Sequence, residues 1–92
     1  MQHGMAPIAL TLYTRPGCHL CDDMKEIIGP LMGEWVCTLE EIDISQDAAL
    51  DARYGLEIPV LLVNGRKAFK YRLTARELRA RLRAELRAAP QS

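Results

Sequence analysis

Apolar positions recur along this chain at two different periods. From Ile8 to Tyr13 the run is apolar on both faces, as expected for a strand covered on both sides. Leu20, Met24, Ile27, Ile28 and Leu31 then fall at helical spacing and predict one buried stripe. Gly29-Pro30 interrupts that pattern, so the helix is expected to stop near Ile28 or to kink there. Val36 to Ile44 reads as a second strand, and the acids between Leu39, Ile42 and Ile44 place it near a sheet edge. Weak helical character follows from Gln46 to Tyr54 and ends at Gly55. Ile58 to Val63 is the most apolar run. It leads through Asn64-Gly65 into Arg66 to Tyr71, the strongest short-range hairpin signal. Thr74 and Glu77 form a capping box, and Leu78, Leu82 and Leu86 continue as a narrow stripe ending near Ala88.

The order is therefore β-α-β-α-β-β-α. The first crossover makes strands one and two parallel, and the hairpin makes strands three and four antiparallel. A chain of 92 residues predicts one domain, spanning 1–92 with its core at about 8–87. Met1 to Ala6 shows no periodicity and reads as a loose end, His3 included.

Composition narrows the class. Twelve basic and twelve acidic residues cancel, so net charge selects no partner. The charges are nonetheless segregated: nine Lys or Arg follow Gly65, against only Glu77 and Glu85. Arg72, Arg76, Arg79, Arg83 and Arg87 fall along one side of the last helix, and Glu77 is spaced to pair with Arg81. No aromatic residues interleave with that stripe, so nucleic acid is not an expected partner. No stretch has the length of a membrane span, and a membrane is not expected either. No signal peptide is recognisable, and three cysteines is an odd, sparse set for a disulfide scaffold. The expected setting is the cytoplasm, and the expected state is a monomer.

The chemistry concentrates in Tyr13-Thr14-Arg15-Pro16-Gly17-Cys18-His19-Leu20-Cys21. Two cysteines sit where a strand ends and a helix begins. Free N–H groups at that helix start stabilise a thiolate on Cys18, and Cys21 lies about one turn further on, within reach. Cys18 is thus the candidate nucleophile and Cys21 the resolving thiol. Arg15, and His19 when protonated, favour the Cys18 thiolate, whereas Asp22 and Asp23 oppose it. A metal site is the competing reading, but a closed zinc site needs four ligands and only Cys37, His3 and His19 remain. Pro59 opens an apolar strand, a position that suits a cis bond. Beside the cysteines, the Ile58 backbone could pair with an extended substrate. Tyr13 stands at the entrance, for packing or for substrate contact. Cys37, Trp35 and Tyr54 read as packing residues.

These residues, with Ile42-Asp43-Ile44, Ile58-Pro59-Val60-Leu61 and Val63-Asn64-Gly65, resemble a glutaredoxin-like protein of the thioredoxin-fold superfamily from about Ile8 to Leu86. The resemblance implies a three-layer α/β/α fold with a four-stranded mixed sheet. It implies a thiol–disulfide oxidoreductase acting on protein or glutathione mixed disulfides in cell redox homeostasis. Cys18 would form the mixed disulfide, Cys21 would resolve it, and Pro59 would be cis. The Ile58 backbone would contact a glutathione cysteine moiety and Arg15 a glutathione carboxylate. No bound cofactor is implied; glutathione is a candidate co-substrate. The alternative is a non-catalytic binding module on the same fold. Two departures stand out. The cysteines enclose His19-Leu20, and Lys70 to Arg76 replaces the glycine-glycine kink and the following cysteine- or serine-aspartate step.

Overall fold

The structure, a computed structural model, describes residues 7–88; the readings of Met1 to Ala6 and His3 lie outside them. β1 (Ile8–Thr14) leads to α1 (His19–Leu31), β2 (Cys37–Asp43), a 3₁₀ turn (Ile44–Gln46) and α2 (Ala48–Tyr54). β3 (Val60–Val63), β4 (Arg66–Lys70) and α3 (Ala75–Ala88) complete the expected order. The sheet runs β2-β1-β3-β4. β1 pairs parallel with β2 and antiparallel with β3, which pairs antiparallel with β4.

Strand alternation divides the core between the two faces. Leu10, Leu12, Leu61 and Val63 point to one side and pack with Met24 and Ile28 of α1 and Leu78 and Leu82 of α3. Val60 and Leu62 point to the other side, with Ile44 and Tyr54. The second layer is thin because α2 has only seven residues. The reading of β1 as covered on both faces is corrected accordingly: Ile8, Leu10, Leu12 and Thr14 are buried, Thr11 and Tyr13 are half-buried and Ala9 is exposed.

Two further expectations change. Pro30 lies inside α1, which continues to Leu31. The N–H that proline lacks would have served only the last turn, so its loss there is tolerated. Arg81 pairs with Glu85 at 3.1 Å, not with Glu77. Glu77 is engaged elsewhere: its carboxylate accepts from the Thr74 N–H at 2.9 Å, and the Thr74 hydroxyl accepts from the Glu77 N–H at 3.1 Å. The capping box is thus complete.

The hairpin turn takes left-handed backbone at Asn64 (φ 50°) and Gly65 (φ 81°), as an Asn-Gly turn requires. Asn64 also ties three elements together. It exchanges hydrogen bonds with the Ala9 backbone at 2.7 and 2.9 Å and donates to Glu85 of α3 at 2.8 Å. Replacing Thr74 by Ala should lower stability by about 1 kcal/mol, read as a lower denaturant midpoint with unchanged slope. An unchanged midpoint would show that the box contributes nothing.

Candidate functional site

The site is built by the turn that ends β1. The Cys18 N–H donates to the Arg15 carbonyl at 3.3 Å, closing a turn across Pro16-Gly17. Gly17 has φ 79°, the position that type II turns give to glycine. The chain then enters α1 with Cys18 as the N-cap, its sulfur accepting from the Cys21 N–H at 3.1 Å. Cys18 and Cys21 form a disulfide with Cα atoms 5.2 Å apart. Cys18 is half-buried and Cys21 is buried. The outer sulfur is therefore the one a substrate can reach, and the inner one lies behind it.

The other expected residues sit around this pair in different ways. His19 is the first residue of α1 and is exposed. Arg15 forms an ion pair with Asp51 of α2. Both partners are half-exposed, so the pair contributes little to stability; it holds the guanidinium toward α2. Tyr13 stacks on Tyr54 with ring centroids 4.8 Å apart. Its burial, and then the Tyr54 hydroxyl, push the Tyr13 phenol up from its ordinary value. The Ile58-Pro59 bond is cis. Val60 is opposite Tyr13 in the β1–β3 register, which places Ile58-Pro59 beside the end of β1 where the cysteine turn begins. Among the described residues, no hydrogen bond engages the Ile58 N–H or C=O.

A polar cavity of about 220 Å³ borders Cys21 and is lined by Thr14, Lys25 and Glu41 among others. Thr14 Oγ1 donates to Glu41 at 3.3 Å and Lys25 Nζ donates to it at 3.1 Å. That hydrogen bond from Lys25 holds its ammonium above the usual lysine value.

Tyr71 was not singled out by the sequence pattern. It has φ 68°, left-handed backbone at a residue other than glycine. Its N–H donates to the Pro59 carbonyl at 2.9 Å and its hydroxyl to the Leu56 carbonyl at 3.1 Å. Its signal in the sequence was the departure of Lys70 to Arg76 from the pattern that the resemblance implies.

A mixed four-stranded sheet between helices, with a cysteine pair opening the first helix and a cis-proline immediately before β3, defines a thioredoxin-fold protein of redox type. The model of the Glutaredoxin-like domain (DUF836) matches residues 9–83, and the chain belongs to that family. The Glutaredoxin-like protein YDR286C homolog of Dictyostelium discoideum is 35% identical over 72 residues, covering 72% of this chain and 67% of the relative. The solved structure of protein XcR50 from X. campestris is 39% identical with a TM-score of 0.69, covering 88% of this chain and 99% of that one. A thioredoxin mutant from Halobacterium salinarum shares the fold at 18% identity and a TM-score of 0.60, over 84% of this chain and 73% of that one.

Cys37 is a free thiol at the start of β2, half-buried, with its sulfur 3.5 Å from that of Met32. Burial pushes its pKa up. With Cys18 and Cys21 held oxidised, alkylation followed by mass spectrometry should label Cys37 only above the ordinary thiol value of about 8.5. Rapid labelling near neutrality would contradict the burial.

Proposed function

We propose that this protein is a thiol–disulfide oxidoreductase that reduces protein or glutathione mixed disulfides. The observation that carries the reading is the pairing of a half-buried N-cap cysteine, Cys18, with a buried partner, Cys21, in a disulfide across the first turn of α1. The amide that meets the Cys18 sulfur, with the helix start behind it, stabilises negative charge there once the disulfide is reduced.

The cycle balances as follows. The Cys18 thiolate attacks one sulfur of the substrate disulfide, and the other sulfur leaves as a thiolate that takes up a proton. The mixed disulfide then loses its second substrate sulfur when the Cys21 thiolate attacks Cys18 Sγ. The substrate gains two electrons and two protons. The protein is left with the Cys18–Cys21 disulfide, which an external dithiol or two glutathione molecules reduce again. A reducing cytoplasm suits that last step.

Ile58 and Pro59 supply backbone for an extended substrate. Arg15 contributes through charge, because an anionic substrate group competes with Asp51 for the guanidinium. His19 adds positive charge beside Cys18 when protonated, and Tyr13 borders the entrance through its stack on Tyr54.

The test is turnover of a protein disulfide and of a glutathionylated peptide by three forms of the protein. Wild type should turn over at least one. Cys18→Ser should fall to the uncatalysed rate. Cys21→Ser should accumulate a mixed disulfide at Cys18, visible by mass spectrometry. Absence of turnover in wild type, with no mixed disulfide trapped by Cys21→Ser, would leave the fold as a binding module.

A further inference from the structure

Arg15 belongs to the turn that presents Cys18, whose N–H donates to the Arg15 carbonyl at 3.3 Å. Its guanidinium reaches α2, where Asp51 takes it in an ion pair. Gly55, the C-cap of α2, makes room for that pair. It has φ −55°, which any residue adopts, so its backbone does not demand glycine. A Cβ there would lie 2.5 Å from the Asp51 carbonyl oxygen, 2.8 Å from the Asp51 carboxylate and 3.2 Å from Nη2 of Arg15. The close seat of the pair therefore depends on the missing side chain. The cavity that borders Cys21 is lined by Arg15 and Lys25, and by Asp22, Glu41 and Asp43. Lys25 is engaged as well, by Glu41 at 3.1 Å and by Asp22 at 3.6 Å. Both cations beside the cysteine turn are thus already paired. Hydrogen bonds from the Ser45 hydroxyl and N–H hold the Asp43 carboxyl below its ordinary value, so it is charged. With Asp51, four carboxylates stand against these two cations.

We infer that Asp51 determines specificity by withholding Arg15 from anionic substrates, so that the site favours disulfides whose thiol partner is neutral or cationic over glutathione mixed disulfides. The inference rests on the oxidoreductase reading and names the charge class of its substrate. Glutathione carries two carboxylates and one ammonium. For one of those carboxylates to reach Arg15, the Asp51 carboxylate has to be displaced and left without its cation. Arg15 and Asp51 are both half-exposed, so the competition costs a few-fold in rate and does not block the site. A neutral thiol partner leaves the pair intact. A cationic one also meets the surplus of carboxylates around the turn.

The experiment joins one peptide cysteine in three mixed disulfides, to glutathione, to mercaptoethanol and to cysteamine. For each, kcat/KM is measured with the same dithiol as reductant, less the uncatalysed rate. Comparing a variant with wild type on the same substrate cancels the intrinsic reactivity of the disulfide. Asp51→Asn should raise the glutathione rate relative to the mercaptoethanol rate by about two- to fivefold, the scale of one half-exposed ion pair, and should lower the cysteamine rate on the same reference. Asp51→Ala should do the same and carries the test if Asp51→Asn fails to fold. Adding Arg15→Gln to Asp51→Asn should remove the gain, and so should salt at about 1 M. An unchanged glutathione ratio in both Asp51 variants overturns the inference and leaves the oxidoreductase reading intact. A gain that survives the added Arg15→Gln also overturns it, because Arg15 then has no part in the selection. A wild type that reduces none of the three overturns the inference together with the reading as a mixed-disulfide reductase.

Discussion

Burial of one face of β1 is the constraint on which the site depends. Leu10 and Leu12 are almost fully buried at the centre of the sheet, between β2 and β3. A slip of one residue would turn both toward the thinner face, so the register is fixed. That register decides where the strand ends, at Thr14. It therefore decides where the Pro16-Gly17 turn begins and where the first free amides of α1 point. The same strand aligns β3 through Tyr13 and Val60, which brings Ile58-Pro59 to the level of the cysteine turn. The placement of the cysteine pair and that of Ile58-Pro59 are thus two consequences of one packed strand.

Much of this was legible because its signals are local. The cysteine spacing, the Asn-Gly turn and the Thr74–Glu77 box each involve residues within four positions, and each forms in the structure. The helical stripe of α1 likewise depends on short-range periodicity. Gly29-Pro30 marked the end of α1 to within one turn; proline is costly in a helix interior but cheap near its end, and sequence alone did not show how close the end was.

What was not legible arises from contacts across the fold. Arg15 meets Asp51, 36 residues away, and no local pattern marks that pair. Tyr71 takes a left-handed conformation that favours glycine, held by bonds to Pro59 and Leu56 on another segment. Asn64 was read as a turn former only; its side chain also joins β1 to α3. The segment that looked like a lost kink keeps a left-handed residue at Tyr71, bonded to the carbonyl of Pro59.

The proposed function makes Cys18 and Cys21 a working redox couple, and the reduction potential of that couple tests it most directly. Equilibration of the protein with defined thiol–disulfide mixtures, quenched by alkylation and read by mass spectrometry, gives that potential. A reversible two-electron transition at Cys18 and Cys21 is expected above about −300 mV, within the range of catalytic couples. A disulfide that stays oxidised below that value, or a pair that never re-forms after reduction, would contradict it.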